Sequence, residues 1–317
     1  MIENNINVGI SSCLLGENVR FDGGHSQSKY CLHTLTGFFK FRQFCPEMAA
    51  GLGTPRPAIR LVGDLENPIL VYSNNPGEDL KGKLENGYAK FLEKQSDLSG
   101  YILMKNSPSC GMNRIKVYLE NGHSHIERRS GLFAEALMKK YPNLPVEEDG
   151  RLNDEGLREN FIMRVYAYKR LNKLRNDELT LHAIIKFHSR YKYVLMAHNH
   201  VAYKSLGVLL NGSSELKTDE LFEVYSSQFM QAIAKPAKRL HHFNTLQHIF
   251  GYLKTSLTPE AKADIINVLE RYRNLEVNLA TPISLLNHYI NQFGSEYIKR
   301  QYYLNPYPEK LGLQNYI

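Results

Sequence analysis

The sequence predicts two units of different class: an α/β unit, with a mostly parallel sheet flanked by helices, followed by an all-α unit. Three observations carry that reading. The chain has 317 residues, more than one hydrophobic core usually organises, so two domains are expected. In the first half, short apolar runs bounded by Gly, Pro or Asn alternate with stretches of helical period, the pattern of strands joined by crossover helices, whereas the second half keeps only the helical period. Charge divides along the same line, with a net −1 over residues 1–160 and a net +8 over residues 161–317 within a chain total of +7. We place the boundary so that residues 1–165 form the first domain and residues 166–317 the helical one.

Taken in order, residues 7–12 alternate and then run apolar, as a buried first strand ending at Cys13 does. Residues 58–62, 69–72, 101–104 and 115–119 are further short runs closed by turn residues and read as strands. Between them, residues 82–96 and 131–140 carry helical spacing. Ligands of such sheets collect in the loops beyond the strand carboxyl ends, and Cys13 and Cys110 both fall just past an expected strand. After Pro145 the pattern changes: residues 154–174 are expected as a helix, and from Leu179 onward only helices are expected, punctuated by Asn211-Gly212, Pro236, Pro259 and Pro282. Thr258 and Thr281 precede two of those prolines, as a cap precedes a proline in the first helical position. In the helix 181–198, Ile184, Phe187, Tyr191 and Val194 share one stripe and Lys186 and Arg190 another.

Composition excludes several classes. With 43% hydrophobic and 11% aromatic residues, both units are expected to be globular. No apolar run approaches the roughly 18 residues of a membrane span, and Met1-Ile2-Glu3-Asn4 does not start a charged-then-apolar leader, so a cytoplasmic protein with reduced thiols is expected. A near-neutral half joined to a basic half points to chemistry in one and a polyanion grip in the other; the plainer alternative is a solvated basic surface with no partner.

The four cysteines carry the chemistry. Cys13 lies in Ser11-Ser12-Cys13-Leu14-Leu15-Gly16, Cys45 in Cys45-Pro46-Glu47, and Cys110 in Ser107-Pro108-Ser109-Cys110-Gly111. Three distant cysteines on turns rich in Gly, Pro or Ser are able to hold an iron-sulfur cluster and leave one iron open, while the tandem Cys-x-x-Cys knuckles usual for zinc are absent. Cys31 sits in Lys29-Tyr30-Cys31-Leu32-His33, a helix interior, where a buried inert thiol is expected. The residues alone leave plainer roles open. Glu47 suits the first turn of a helix begun by Pro46, Ser107 before Pro108 suits a turn, and Asp22-Gly23-Gly24 reads first as a tight turn. His198, His200, His241 and His242 are expected on helix surfaces or against RNA, with zinc a minority reading.

These motifs together, with Val19-Arg20-Phe21-Asp22-Gly23-Gly24-His25, resemble the thiouracil desulfidase family over about residues 5–165. Residues 178–310, with Phe187-His188-Ser189-Arg190-Tyr191-Lys192 and Tyr203-Lys204-Ser205-Leu206-Gly207, are similar to the YbgA-like helical domain. The fused arrangement resembles bacterial desulfidases acting on 4-thiouridine in transfer RNA. Phe21 stands where that family often has Tyr, and Cys31 is an extra thiol, so neither inherits a role. The resemblance implies a 4Fe-4S cluster on Cys13, Cys45 and Cys110 with one open iron. It further implies Glu47 as the base that activates water and Ser107 as the hydroxyl that orients the base or the thiocarbonyl or relays a proton to sulfur. Ser12, Asp22 and Ser109 are candidate substrate contacts.

A thiolated base stacked in folded RNA has to be turned out to reach a buried cluster, at a cost of a few kcal/mol that contacts to the backbone must offset. Local charge density nominates Arg170, Lys173, Arg175, Lys186, Arg190, Lys192, Lys204, Lys235, Lys238 and Arg239 for that grip. Two alternatives stand beside this reading: a desulfidase of free thiolated bases such as 4-thiouracil, and a non-catalytic RNA-binding module with structural or zinc-holding cysteines. Replacing each cysteine in turn by Ser and measuring iron content and desulfuration separates them. Loss is expected for Cys13→Ser, Cys45→Ser and Cys110→Ser and retention for Cys31→Ser; an emptied site in Cys31→Ser would refute the ligand assignment.

Overall fold

A computed structural model describes residues 6–119, 121–177, 179–212 and 216–314. Two compact units divide at Asn153/Asp154. Residue 165, where the sequence reading placed the boundary, lies inside a helix of the second unit.

In the first unit, strands β1 (Ile6–Ser11), β2 (Phe39–Phe44), β5 (Tyr101–Leu103) and β7 (Val146–Glu148) form one sheet in the order β2-β1-β5-β7, every pairing parallel. Ile6, Val8 and Ile10 of the central β1 are fully buried, as the side chains of a strand covered on its face by helices must be. A second, three-stranded sheet is mixed: β3 (Ile59–Val62) pairs antiparallel with β4 (Ile69–Tyr72) and parallel with β6 (Val117–Tyr118). Helices α1 (Lys29–His33), α2 (Pro46–Ala49), α3 (Lys81–Glu93) and α4 (Leu132–Lys140) complete the unit. Leu84, Tyr88 and Leu92 of α3 and Leu132, Phe133 and Leu137 of α4 face inward at helical spacing. The sequence reading omitted β2 and β7. In β2 the run Phe-Lys-Phe-Arg-Gln-Phe lies at a sheet edge with its polar residues turned outward, and β7 buries Glu147 and Glu148, which disguise it.

Close approach of β1 and β5 requires a glycine. A Cβ on Gly9 would lie 2.2 Å from the Tyr101 ring, and that ring packs edge-on against Phe133 at 5.6 Å.

The second unit is helical throughout its described residues: α5 (Glu155–Asn176), α6 (Leu181–His198), α7 (His200–Asn211), α8 (Thr218–Ala232), α9 (Arg239–Phe250), α10 (Pro259–Arg273), α11 (Ala280–Phe293) and α12 (Glu296–Lys299). Side-chain caps start several of them, through Asp154, Thr180, Asn199 and Thr258. Ile184, Phe187, Tyr191 and Val194 form a buried stripe, as their spacing implied. One capping expectation is corrected. α11 begins at Ala280 after the N-cap Leu279, so Thr281 is inside the helix, and the carboxamide oxygen of Asn278, one residue before the cap, accepts from both the backbone N–H (3.3 Å) and hydroxyl (3.0 Å) of Thr281.

Gly9→Ala is expected to lower stability by about 1–3 kcal/mol or more, the usual cost of overpacking, because neither the ring nor the paired strand has room to retreat. Urea unfolding measures it; an unchanged midpoint would show that Tyr101 repacks freely.

Candidate metal and active site

Parallel strands put their carboxyl ends at one sheet edge, about 4.8 Å from neighbour to neighbour. Because β2, β1 and β5 are adjacent, the segments that follow them, bearing Cys45, Cys13 and Cys110, emerge side by side. All three cysteines line one cavity of about 310 Å³, together with Ser12, Glu47 and Ser107.

Each thiol is positioned by local backbone. Cys13 sits in a 3-10 turn, Ser12–Leu15, closed by Gly16 in the left-handed region at φ 95°. Cys45 caps α2, its carbonyl accepting from Ala49 N at 3.0 Å. Cys110 ends a turn in which its own N–H donates to Ser107 Oγ at 3.0 Å, and Phe133 N and Ala134 N in the first turn of α4 donate to the Ser109 carbonyl.

Glu47 is buried at 7% exposure and faces the thiols rather than capping α2. Its Oε2 accepts from the Cys45 thiol at 3.2 Å and its Oε1 from the Ser107 hydroxyl at 3.4 Å. Ser107 Oγ meanwhile accepts the N–H groups of Ser109 (3.2 Å) and Cys110 (3.0 Å). Both hydroxyl lone pairs are thereby occupied, so its hydrogen is directed at Glu47. A fixed donor chain thus runs from the Cys110 turn through Ser107 to Glu47.

Burial pushes the Cys13 thiol up to about 11, with the Glu47 carboxylate adding to the shift and the Arg20 guanidinium opposing it. Cys45 and Cys110 are likewise raised, by burial first and then by Glu47. Bare thiols here stay protonated, and a thiolate requires a positive group among them. None is in a disulfide. Behind them Tyr101 is fully buried with a hydroxyl that has no hydrogen-bond partner. Burial opposes ionisation of that hydroxyl first, followed by Cys110, Cys45, Cys13 and Glu47, which places all four around one point. Among the described residues no three His, Cys, Asp or Glu side chains could hold a single metal ion. A cluster makes a different demand, since each ligand binds a different iron and the sulfurs stand correspondingly apart. Three unpaired thiols on one cavity, beside an orphaned donor, are a donor set that fits a polynuclear iron-sulfur group.

Of the other sequence candidates, Ser12 lines the cavity, whereas Asp22 and Ser109 do not. Asp22 accepts from Gly24 N at 3.0 Å and faces Arg20 at 3.6 Å, which makes it a turn-former. Ser109 is wholly buried and its hydroxyl has no partner. Sequence reasoning missed Arg20, Phe21, Arg56 and Lys105, all on the cavity wall. Arg20 and Phe21 adjoin Asp22 in the quoted segment, and that adjacency was the available signal. Arg56, anchored to the Gly53 (2.6 Å) and Val19 (3.1 Å) carbonyls, gave none.

In the helical unit, Lys173, Lys186, Lys204, Lys235 and Lys238 are exposed, and Arg190 and Lys192 half-buried. Arg175 is exposed and paired with Glu223. Arg170 donates to Tyr191 Oη (3.0 Å) and the Pro306 carbonyl (2.8 Å), and Arg239 donates to the Tyr272 carbonyl (2.6 Å) and stacks on that ring, so both serve the protein's own packing. His200 and His241 are exposed, but His242 is buried against Tyr303 Oη (2.8 Å), and His198 meets the Lys235 carbonyl (2.8 Å). Burial pushes these two rings down, to about 3 and about 4; the surface expectation is corrected for His242, which is buried, while His198 is half-buried at the helix end.

Comparison with known proteins follows the same division. The family described as "2-thiouracil desulfurase" matches residues 8–149, and the family described as "Protein of unknown function (DUF1722)" matches residues 192–308. A Bacillus subtilis (strain 168) protein, "Uncharacterized protein YbbK", is 31% identical over 151 residues, 46% of this chain and 97% of that protein. An Escherichia coli (strain K12) protein, "Uncharacterized protein YbgA", is 24% identical over 165 residues, 52% of this chain and 98% of that protein. A solved structure titled as the 4Fe-4S-dependent thiouracil desulfidase TudS is 29% identical with a TM-score of 0.36, covering 48% of this chain and 95% of that one.

Cys31 stands apart from the cavity, fully buried, with its N–H on Ser28 Oγ at 3.4 Å. Burial pushes its thiol up to about 11 from 9.0. A raised folded value contributes stability below pH 9 that is lost as pH rises through 11, worth roughly 2–3 kcal/mol at 1.36 kcal/mol per unit. Between pH 9 and 11 the iron-free wild type is expected to lose that much more stability than Cys31→Ala; parallel urea midpoints would contradict it.

Proposed function

The chain belongs to the 2-thiouracil desulfurase family through its first unit, with a YbgA-like helical unit after it, and we propose that it is an iron-sulfur-dependent, non-redox desulfidase of 4-thiouridine in transfer RNA. One observation carries this reading: the buried thiols of Cys13 and Cys110, the half-buried thiol of Cys45, Glu47 and Ser107 share one cavity at the carboxyl edge of a parallel sheet. Cys13, Cys45 and Cys110 would hold the cluster. When bound, it supplies a thiophilic Lewis acid that draws electron density from a C=S bond and takes up the departing sulfur.

The chain's own residues do the rest. With Cys45 held as a thiolate, Glu47 Oε2 would no longer accept from that thiol and would be free to take a proton from water. Water oxygen then bonds to the ring carbon as one of its protons passes to Glu47; the second passes to sulfur as the C–S bond breaks and the C=O bond forms, so uridine and hydrosulfide leave with no net change of oxidation state and Glu47 returns its proton to solvent. Ser107, held by two backbone N–H groups, keeps the carboxylate turned toward the reacting carbon. Phe21 offers an aromatic wall to a pyrimidine, and Arg20, Arg56 and Lys105 offset the negative charge that develops. Reducing, cytosolic surroundings suit such unpaired thiols. The basic helical unit supports the RNA half of the reading, since phosphate neutralisation is what a polyanion grip requires.

Glu47→Gln is expected to keep its iron and lose roughly 10²–10⁴ in kcat, the usual contribution of a positioned base. Ser107→Ala is expected to lose roughly 10–100-fold, the usual cost of removing an orienting partner. Raising salt should slow turnover of thiolated transfer RNA but not of free 4-thiouracil. Better turnover of the free base, with no salt effect on the RNA, would assign the enzyme to free bases instead.

A further inference from the structure

The helical unit holds a feature that charge density along the sequence did not reveal. Four tyrosines from separate elements converge: Tyr193 on α6, Tyr203 on α7, Tyr252 in the 3-10 turn Gly251–Leu253, and Tyr297 on α12. The Tyr252 ring lies edge-on to Tyr193 at 6.4 Å and tilted to Tyr297 at 5.7 Å. Tyr193 hydrogen-bonds Tyr252, and Tyr297 hydrogen-bonds both Tyr252 and Ser189. No carboxylate takes part in this hydroxyl cluster, and 41% of Tyr252 remains open to solvent.

Arg190 of α6, Lys299 of α12 and the segment that follows α12 line a basic cleft of about 270 Å³, with Arg300, Gln301, Tyr302 and Asn305 from that segment. The cleft has a fixed floor. Tyr302 N donates to the Arg190 carbonyl at 3.0 Å, Gln301 Nε2 donates to the Ser189 carbonyl at 3.0 Å, and the Arg170 guanidinium stacks on the Tyr302 ring at 4.0 Å. Among the described residues, the side chains of Arg190 and Lys299 make no hydrogen bond or ion pair, and Arg300 meets only the exposed Glu296, at 3.0 Å. Cations held close together with little internal neutralisation call for an anion from outside. A solvent-facing aromatic ring beside them offers a stacking surface that any base satisfies.

We infer that this surface is where the helical unit grips unpaired RNA, with a backbone phosphate in the Arg190–Lys299–Arg300 cleft and a neighbouring base stacked on Tyr252. It rests on the proposal that the substrate is RNA, and it supplies the site at which α6, α12 and the Tyr252 turn act together. Lys299 and Arg300 were absent from the sequence candidates because they stand alone near the end of the chain, outside the basic run.

The test measures binding of thiolated transfer RNA to the full chain by fluorescence anisotropy across a salt series. Lys299→Ala/Arg300→Ala is expected to weaken binding at least tenfold and to flatten the slope of log affinity against log salt by about 0.7, as loss of one phosphate contact on a single strand does. Tyr252→Ala is expected to weaken binding roughly tenfold, and Tyr252→Phe to retain it, since stacking needs the ring and not the hydroxyl. Lys262→Ala, on α10 and outside the surface, serves as the control and is expected to match wild type. Variants that bind with wild-type affinity and salt slope would overturn this surface while leaving RNA binding in place. A wild-type protein that desulfurises 4-thiouracil but binds no RNA would overturn the RNA reading and this surface with it.

Discussion

The parallel alignment of β2, β1 and β5 is the constraint on which the remainder rests. Parallel neighbours end on the same edge, so residues 32 and 65 apart in the chain leave the sheet together without any local motif to gather them. Backbone hydrogen bonding fixes that edge, and the loops need only short turns to deliver each thiol. Gly9 permits the central contact of this arrangement by leaving room for Tyr101 between β1 and β5. Antiparallel pairing of any one of the three strands would send its cysteine to the opposite end of the sheet.

Low dielectric then gives the site its chemical character. The same burial that raises Cys13, Cys45 and Cys110 makes a positively charged iron group a favourable occupant, because removing the thiol protons leaves anions with little water to stabilise them. Glu47 is buried among those thiols, where an uncompensated carboxylate is costly, and its hydrogen bonds to Cys45 and Ser107 account for its presence there. Ser107 serves both folding and chemistry. Its oxygen closes the Cys110 turn while its hydrogen holds the carboxylate, so one residue couples the shape of the Cys110 loop to the orientation of Glu47.

Much of this was legible from sequence because the strands that build the edge are apolar and their loops begin with conspicuous turn residues. The run before Cys13 and the run before Ser107 were both found, as was the buried stripe of α6. What escaped had physical reasons. β2 alternates charge with phenylalanine, and β7 carries two acids whose partners, Arg151 for Glu147 and the Met112 N–H for Glu148, are distant or unremarkable in sequence. Arg56 reaches the cavity from a loop with no periodic signal. In the helical unit, charge density does not separate roles: Arg170 and Arg239 meet aromatic rings and carbonyls of the protein itself, whereas Lys299 and Arg300, outside the nominated run, join Arg190 only when the segment after α12 folds back onto α6. Sequence proximity reports how many charges exist, but only the fold decides which of them face solvent together.

The central claim is that three thiolates hold an iron-sulfur cluster whose fourth iron is free to meet sulfur. Mössbauer spectroscopy of the anaerobically reconstituted, iron-57-enriched chain, recorded with and without 4-thiouracil, tests it most directly. The account requires one iron in four to change its spectrum when the thiolated base is added while the other three stay as they were. Four irons indifferent to the base, or a chain that takes up no iron, would contradict it.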